Sequence, residues 1–398
     1  MNNTINKIPL IGYALYTLIT YSIVTTHEVM TSFFLSLTYV WSAYLLIKII
    51  QRNILSRNIL VIFFFMMFLS FVNVTVNGII DNAALDFGYY KKVIMFNSTI
   101  LWMLYCMTEK ISRKSIVIIL LLNIFLTLIY ATNFQSGYEL DMESGNTYLY
   151  MHFSNSNLAG FFLSECAIYL LLTIFLPKNI GMRLIYRIAL IPALLFILFL
   201  TYLTGCRSAF LGLLFMGGCV IFDIYKSNYK KLPRFLFGFW ALLPIIFLFV
   251  YISFISSINL DFSFGLESGK SNYTRLESWD FFLDYVFQFP IIGGYSSASN
   301  GTGAFQALNT HLDVLVSYGI LPFFLFVYLL YKSLSNVDLG KVPLFNRMCF
   351  YAYLSILLPS CFEAGLVSGS VGLFIACYGY LLLANSNITN YKKYNTNI

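Results

Sequence analysis

The chain has 398 residues, of which 59% are hydrophobic and only 10% charged. Soluble domains carry about 25% charged residues, so an ordinary soluble fold is excluded. The formal net charge of +7 does not point to nucleic acid, because the basic residues sit mainly in alternate short links, as membrane topology requires.

Apolar runs of about 20 residues recur from end to end, each long enough to cross the hydrocarbon core. Twelve spans are expected, at 8–26, 30–49, 58–77, 89–107, 114–132, 157–176, 184–203, 206–224, 236–256, 311–331, 346–363 and 368–385. The fold class is therefore all-α and polytopic, a single transmembrane domain over 1–398 with a large external loop at 257–310. The first apolar run is a full span without a small-residue cleavage site, so no cleavable signal peptide is expected. No internal repeat is visible. The seven cysteines lie mostly inside apolar runs and none has paired metal-ligand spacing, so they read as small buried hydrophobes and no metal site is expected.

Lysines and arginines set the orientation. Lys7, the cluster Lys48, Arg52 and Arg57, the cluster Lys110, Arg113 and Lys114, and the residues Lys178, Arg183 and Arg187 all fall on one side. So do Lys226, Lys230, Lys231 and Arg234, then Lys332, Lys341 and Arg347, and finally Lys392 and Lys393. That side is cytoplasmic by the positive-inside rule, which places both termini inside and the links 133–156 and 257–310 outside. Five cations break the rule by facing out: Lys91, Lys92, Arg207, Lys270 and Arg275, together with the histidines His27, His152 and His311. Lys91 and Lys92 either snorkel to lipid phosphates or bind a ligand. Glu165 and Glu363 lie in or near spans, where a charge is expensive; each is either a structural hydrogen-bond hub or a functional group.

The external loop carries the densest polar sequence. Thr274 to Glu277 reads as a capping box, so a helix is expected from Arg275. Leu276, Trp279, Phe282 and Val286 share one face of it, and Glu277, Asp280, Asp284 and Gln288 the other, a pattern suited to an amphipathic helix on the bilayer surface. Pro290 ends it and Gly293-Gly294 turns the chain. A weaker box at Thr310 to Asp313 opens the next apolar helix at His311. Arg207, Arg275 and His311 thus each stand at a helix start that faces outward. A helix N-terminus offers free N–H donors and partial positive charge. Two guanidinium groups beside such ends would make an anion site fit for a diphosphate. The same setting favours a neutral His311, the form a general base needs. The alternative for the arginines is pairing with acids such as Glu277 or Asp280, and for His311 a capping role.

From the sixth span onward these residues resemble the family of O-antigen polymerases and O-antigen ligases, integral-membrane glycosyltransferases. His152 to Gly160, with Asn157, is similar to the family's Asn-rich opening of a span. Thr204-Gly-Cys-Arg207-Ser-Ala-Phe-Leu211 is similar to its Arg-x-x-x-Leu motif. Arg275-x-x-x-Trp279 followed by Pro290 and Gly293-Gly294 resembles the arginine that opens the large outer loop, and Asn309 to Gly319 the segment that closes it. The family places its histidine eleven residues before that glycine; here that position is Leu308, and His311 lies one helical turn later, on the same helix face. The resemblance implies a glycosyltransferase C-type fold in the cytoplasmic (inner) membrane, with no metal and no cofactor. It implies undecaprenyl-diphosphate-linked oligosaccharide as donor and acceptor, the lipid bilayer as surroundings, and a chain-length regulator and a flippase as partners. Arg207, Arg275 and His311 are then the catalytic candidates, and Lys91, Lys92, Asn157 and Asn309 the substrate-binding ones. A repeat-unit polymerase is the first expectation. A ligase moving polymer onto lipid A-core, and a lipid-linked oligosaccharide flippase, are the alternatives.

Overall fold

The computed structural model describes residues 7–51, 55–80, 87–108, 113–140, 147–153, 156–175, 184–225, 238–255, 272–293, 307, 309–335 and 344–362. The twelfth expected span, Glu363 and Lys270 lie outside the described residues. Eight long helices come first: α1 (Lys7–Val24), α2 (Glu28–Gln51), α3 (Arg57–Ile80), α4 (Phe87–Thr108), α5 (Arg113–Asn133), α6 (Ser156–Ile174), α7 (Leu184–Leu203) and α8 (Arg207–Tyr225). Each matches an expected span to within three residues. In hydrocarbon no water satisfies the backbone, so an uninterrupted apolar run folds as a helix that satisfies itself. Among the described residues, five helices are long and apolar enough to cross a membrane. Short links make successive helices from α1 to α8 antiparallel.

Helix α6 is the interior member of the bundle. Its apolar window is 78% buried, against 17 to 39% for the other four long helices. It packs on α5, α7 and α8, and an all-round apolar sequence is what such a position needs. Tyr13 and Tyr16 of α1 face it, edge-on to Tyr169 at 5.4 Å and stacked on Phe162 at 5.6 Å. By contrast α2, α3 and α7 leave large apolar side chains such as Val40, Phe65 and Leu195 exposed, as lipid-facing helices do.

A short antiparallel hairpin, β1 (Tyr138–Leu140) with β2 (Thr147–Leu149), links α5 to α6 and pairs Glu139 with Tyr148. It marks one end of the bundle, hereafter the hairpin end, where α3 and α7 finish and α4, α6 and α8 begin. The chain then enters α6 through Met151 and His152, both in the left-handed region at φ 50° and 61°. Neither the strands nor this turn were expected from the sequence.

The ninth expected span is a composite: a 3₁₀ turn (Phe239–Leu242), α9 (Leu243–Val250) and a π turn (Tyr251–Ile255). Next come α10 (Asn272–Gln288), α11 (Thr310–Tyr318), α12 (Ile320–Ser335) and α13 (Leu344–Leu357), the last continued by a turn at Pro359–Cys361. Here the sequence expectation fails in one place. The apolar run 311–331 was read as one span, but it is a helical hairpin. In a straight helix His311 and Phe326 would stand about 22 Å apart at 1.5 Å per residue. Their rings lie 5.4 Å apart, and His311 also meets Phe323 at 5.9 Å. Gly319, at φ 81°, reverses the chain between α11 and α12.

The reversal is held from outside the hairpin. Ile320 N donates to Pro290 O at 3.0 Å. Asn73 Nδ2 of α3 donates to the carbonyls of Ile291 and Tyr318, and Asn77 Nδ2 to that of Ile292 at 2.9 Å. Two glycines permit the approach. A Cβ on Gly319 would lie 2.0 Å from Ile291 O, and one on Gly293 (φ 73°) 2.3 Å from Val316 O.

Candidate functional site

Arg207 is the first residue of α8 and half-buried. Its position follows from the three residues before it. Thr204 Oγ1 donates to Thr201 O at 2.7 Å and accepts from Cys206 N at 3.3 Å. Gly205 turns the chain at φ 63°, with the Tyr148 ring of the β-hairpin packed where a Cβ would be. Cys206 is buried against Gly160 of α6, whose missing Cβ would lie 2.3 Å from that of Cys206. This close contact brings the start of α6, with half-buried Asn157, to the start of α8, with Arg207. The positive end of the helix dipole adds to the guanidinium, so the junction suits an anion.

A second group forms where α4 meets α11. Lys91 and Lys92 are exposed near the start of α4, at the hairpin end. Lys92 is close enough to Asp313 of α11 for their charges to attract. Tyr318 at the end of α11 donates its OH to Lys92 O at 3.3 Å and stacks on Phe96 at 4.5 Å. In the sequence Asp313 only closes the box that opens this helix; the fold makes it a 4%-exposed carboxyl facing a lysine.

His311 and Asn309 are placed differently from expectation. Both are 0% exposed, so His311 does not stand at an open helix start. Asn309 is the N-cap of α11: its Oδ1 accepts from His311 N and Leu312 N, both at 3.0 Å, while Nδ2 donates to Pro244 O at 2.9 Å and Cys361 O at 3.0 Å. His311 Nε2 lies 2.6 Å from Ala241 O. A carbonyl only accepts, so Nε2 carries the proton and Nδ1 is the bare nitrogen, without a hydrogen-bond partner among the described residues. The two residues thus join α11 to the start of α9 and to the turn after α13. The physical reason is the hairpin: reversal at Gly319 carries the start of α11 into the bundle.

Arg275 falls in the first turn of α10, one turn before Trp279, and its side chain lies outside the described residues. The apolar face of α10 is the predicted one. Trp279 and Phe282 are buried, and Asp280, Asp284 and Gln288 are exposed. That face rests on protein instead of lipid: Trp279 meets Tyr251 edge-on at 5.1 Å and clusters with Leu248, Leu312 and Val316. Arg207 with Asn157, and Lys91 with Lys92, therefore share the hairpin end, while His311 and Asn309 are interior. Asn73 and Asn77 were missed. Their signal was present, two amides four residues apart in an apolar span, a spacing that puts both on one helix face.

Comparison with family models, with curated proteins and with solved structures gives no match to this chain.

Proposed function

We propose that the chain is a membrane glycosyltransferase that joins undecaprenyl-diphosphate-linked oligosaccharide units into polymer on the outer face of the cytoplasmic membrane. The observation that carries this reading is the gathering of Arg207, Asn157, Lys91 and Lys92 at one end of an apolar helical bundle, with Arg207 opening a 19-residue helix. An acceptor hydroxyl attacks the anomeric carbon of the lipid-linked chain, and the bond from that carbon to the diphosphate oxygen breaks. Charge then accumulates on the departing diphosphate. Arg207 and the N–H groups at the start of α8 stabilise it, the guanidinium through a planar fork of donors. In this reading Asp313 takes the hydroxyl proton, with Lys92 balancing its charge beforehand. His311 acts as a positioning residue that fixes α11, and so Asp313, against the start of α9.

The test is polymer formation from undecaprenyl-diphosphate-linked repeat units by the purified protein, alongside the products left in cells that lack it. Loss of a transition-state contact of this kind lowers the rate by about two orders of magnitude, so Arg207→Ala should abolish long product at unchanged protein level. Arg207→Lys should restore little, because lysine keeps the charge and loses the fork. Cells lacking the protein should hold single lipid-linked units and no long polymer. Full-length polymer left on the lipid carrier would indicate a ligase. Single units confined to the cytoplasmic leaflet would indicate a flippase. Normal polymer from Arg207→Ala would remove the diphosphate site.

A further inference from the structure

A partly open cavity between α6, α8 and α13 plays no part in the reaction above. It is lined by Ser164, Glu165, Gly212, Ser355 and Ser360 among apolar neighbours, with about 20 Å³ of room for a water-sized occupant. That is enough for one small guest. Its three serine hydroxyls can accept hydrogen bonds from a guest and do not donate to one. Ser164 Oγ donates to Phe161 O at 2.8 Å, Ser355 Oγ to Ala352 O at 2.7 Å, and Ser360 Oγ to Leu357 O. Each hydroxyl has used its one proton on its own chain segment and keeps only lone pairs. The Ser355 carbonyl is a further acceptor. A continuing helix would pair it with the N–H of residue 359, which is Pro359 and has none. The oxygen lies against Gly212, 2.6 Å from where a Cβ would be.

Glu165 completes the set. It is 1% exposed in the middle of α6, and Tyr16 OH of α1 donates to its Oε2 at 3.1 Å. The titratable groups that act on it are Tyr13 and Tyr16 from α1, Tyr130 from α5 and Cys166 from α6, all uncharged at neutral pH. The cavity residues from α8 and α13 are Ala209, Gly212, Leu213, Ser355 and Ile356, none of them titratable. Hydroxyl, carbonyl and carboxylate oxygens around a water-sized space are the donor set of a hard cation. A single carboxylate sets the valence: a monovalent ion is neutralised, whereas a divalent ion would leave net charge inside an apolar bundle.

We propose that this cavity is a monovalent-cation site, in which Glu165 balances a sodium-sized ion held by the oxygens of Ser164, Ser355 and Ser360. The bound ion ties α6 to α13 and to the turn that follows it, beside α8, which carries Arg207. The inference stands apart from the glycosyl-transfer reading and needs no substrate to test.

The experiment is thermal unfolding of the purified full-length protein in detergent, with sodium chloride exchanged for choline chloride at constant ionic strength. A ligand that binds the native state raises the unfolding temperature with its concentration. Sodium should give a saturable rise that choline does not. Glu165→Gln should abolish the rise. Ser360→Ala should shift the midpoint about tenfold upward, the effect of losing one ligand worth about one decade in affinity. The proposal is overturned by no sodium-specific rise or by a rise that survives in Glu165→Gln. If Glu165→Gln does not fold, Ser360→Ala decides the matter: an unchanged midpoint overturns the site.

Discussion

Asn309 shows how much one amide can hold when it is buried. It accepts two backbone N–H bonds and donates two more to the carbonyls of Pro244 and Cys361, so every hydrogen-bonding position of its side chain is taken by protein. Asn309→Ala should therefore act on stability. Losing the cap costs about 1 kcal/mol, and each buried carbonyl left without a donor about 1–3 kcal/mol more. The expected sum is a destabilisation of about 3–7 kcal/mol, read as a lower unfolding temperature and lower membrane content. An Asn309→Ala protein that is stable but inactive would instead make the residue a substrate contact. His311 is separated from catalysis by a conservative change. Gln at position 311 still offers an N–H to Ala241 O but takes no proton at neutral pH. His311→Gln should keep most polymer-forming activity, while His311→Ala should lose stability. Loss of activity in a stable His311→Gln protein would restore the histidine as the base. The sequence identified both residues as notable and not what they do, because an asparagine ahead of a helix looks the same whether it caps that helix or binds sugar.

At the scale of elements, the first eight helices were legible to within a few residues because an apolar run in lipid has one folded option. The helical hairpin of α11 and α12 was not legible. Its sequence is a continuous apolar run, and glycine is common inside transmembrane helices. What breaks it is non-local: the amides of Asn73 and Asn77, more than 200 positions away in sequence, take up the carbonyls that the reversal frees. Glycine substitutions test this directly. Gly319→Ala places a side chain at φ 81° and a Cβ 2.0 Å from Ile291 O. Strain at such a site together with displaced backbone amounts to about 3 kcal/mol or more. Gly217 and Gly218 of α8 are the internal controls, since a Cβ there meets nothing within 4 Å. Alanine in the interior of a helix is favoured over glycine by about 0.8–1.0 kcal/mol, so Gly217→Ala should unfold at a slightly higher temperature than the parent. If Gly319→Ala matches Gly217→Ala, the tight reversal at 319 is not a feature of the folded protein. The β-hairpin was illegible for another reason: three-residue strands are too short for a periodic signal, and Tyr148 is fixed by Gly205 rather than by its own neighbours.

At the scale of the whole molecule, charge and fold give the same two ends. Lys48, Arg57, Arg187 and Lys332 lie toward the end opposite the β-hairpin, whereas Lys91, Lys92 and Arg207 lie at the hairpin end. Arg347 also sits at the opposite end, but it is not a free topological charge. Its Nε donates to Asp223 Oδ2 at 2.9 Å in a buried pair that ties α13 to α8. The reversal at Gly319 leaves the assignment of ends intact, because α11 finishes at the hairpin end, where Tyr318 meets Lys92, and α12 runs from there to Ser335. The positive-inside rule then predicts that the hairpin end is external. Two exposed positions test it, Asp284 on α10 at the hairpin end and Ser56 between α2 and α3 at the other. In a variant lacking native cysteines, Asp284→Cys should react with a membrane-impermeant maleimide in intact cells. Ser56→Cys should react only after the membrane is opened. The reverse pattern would place Arg207, Lys91 and Lys92 in the cytoplasm, where lipid-linked units are built rather than joined, and would leave the polymerase reading without a site on the face where it needs one.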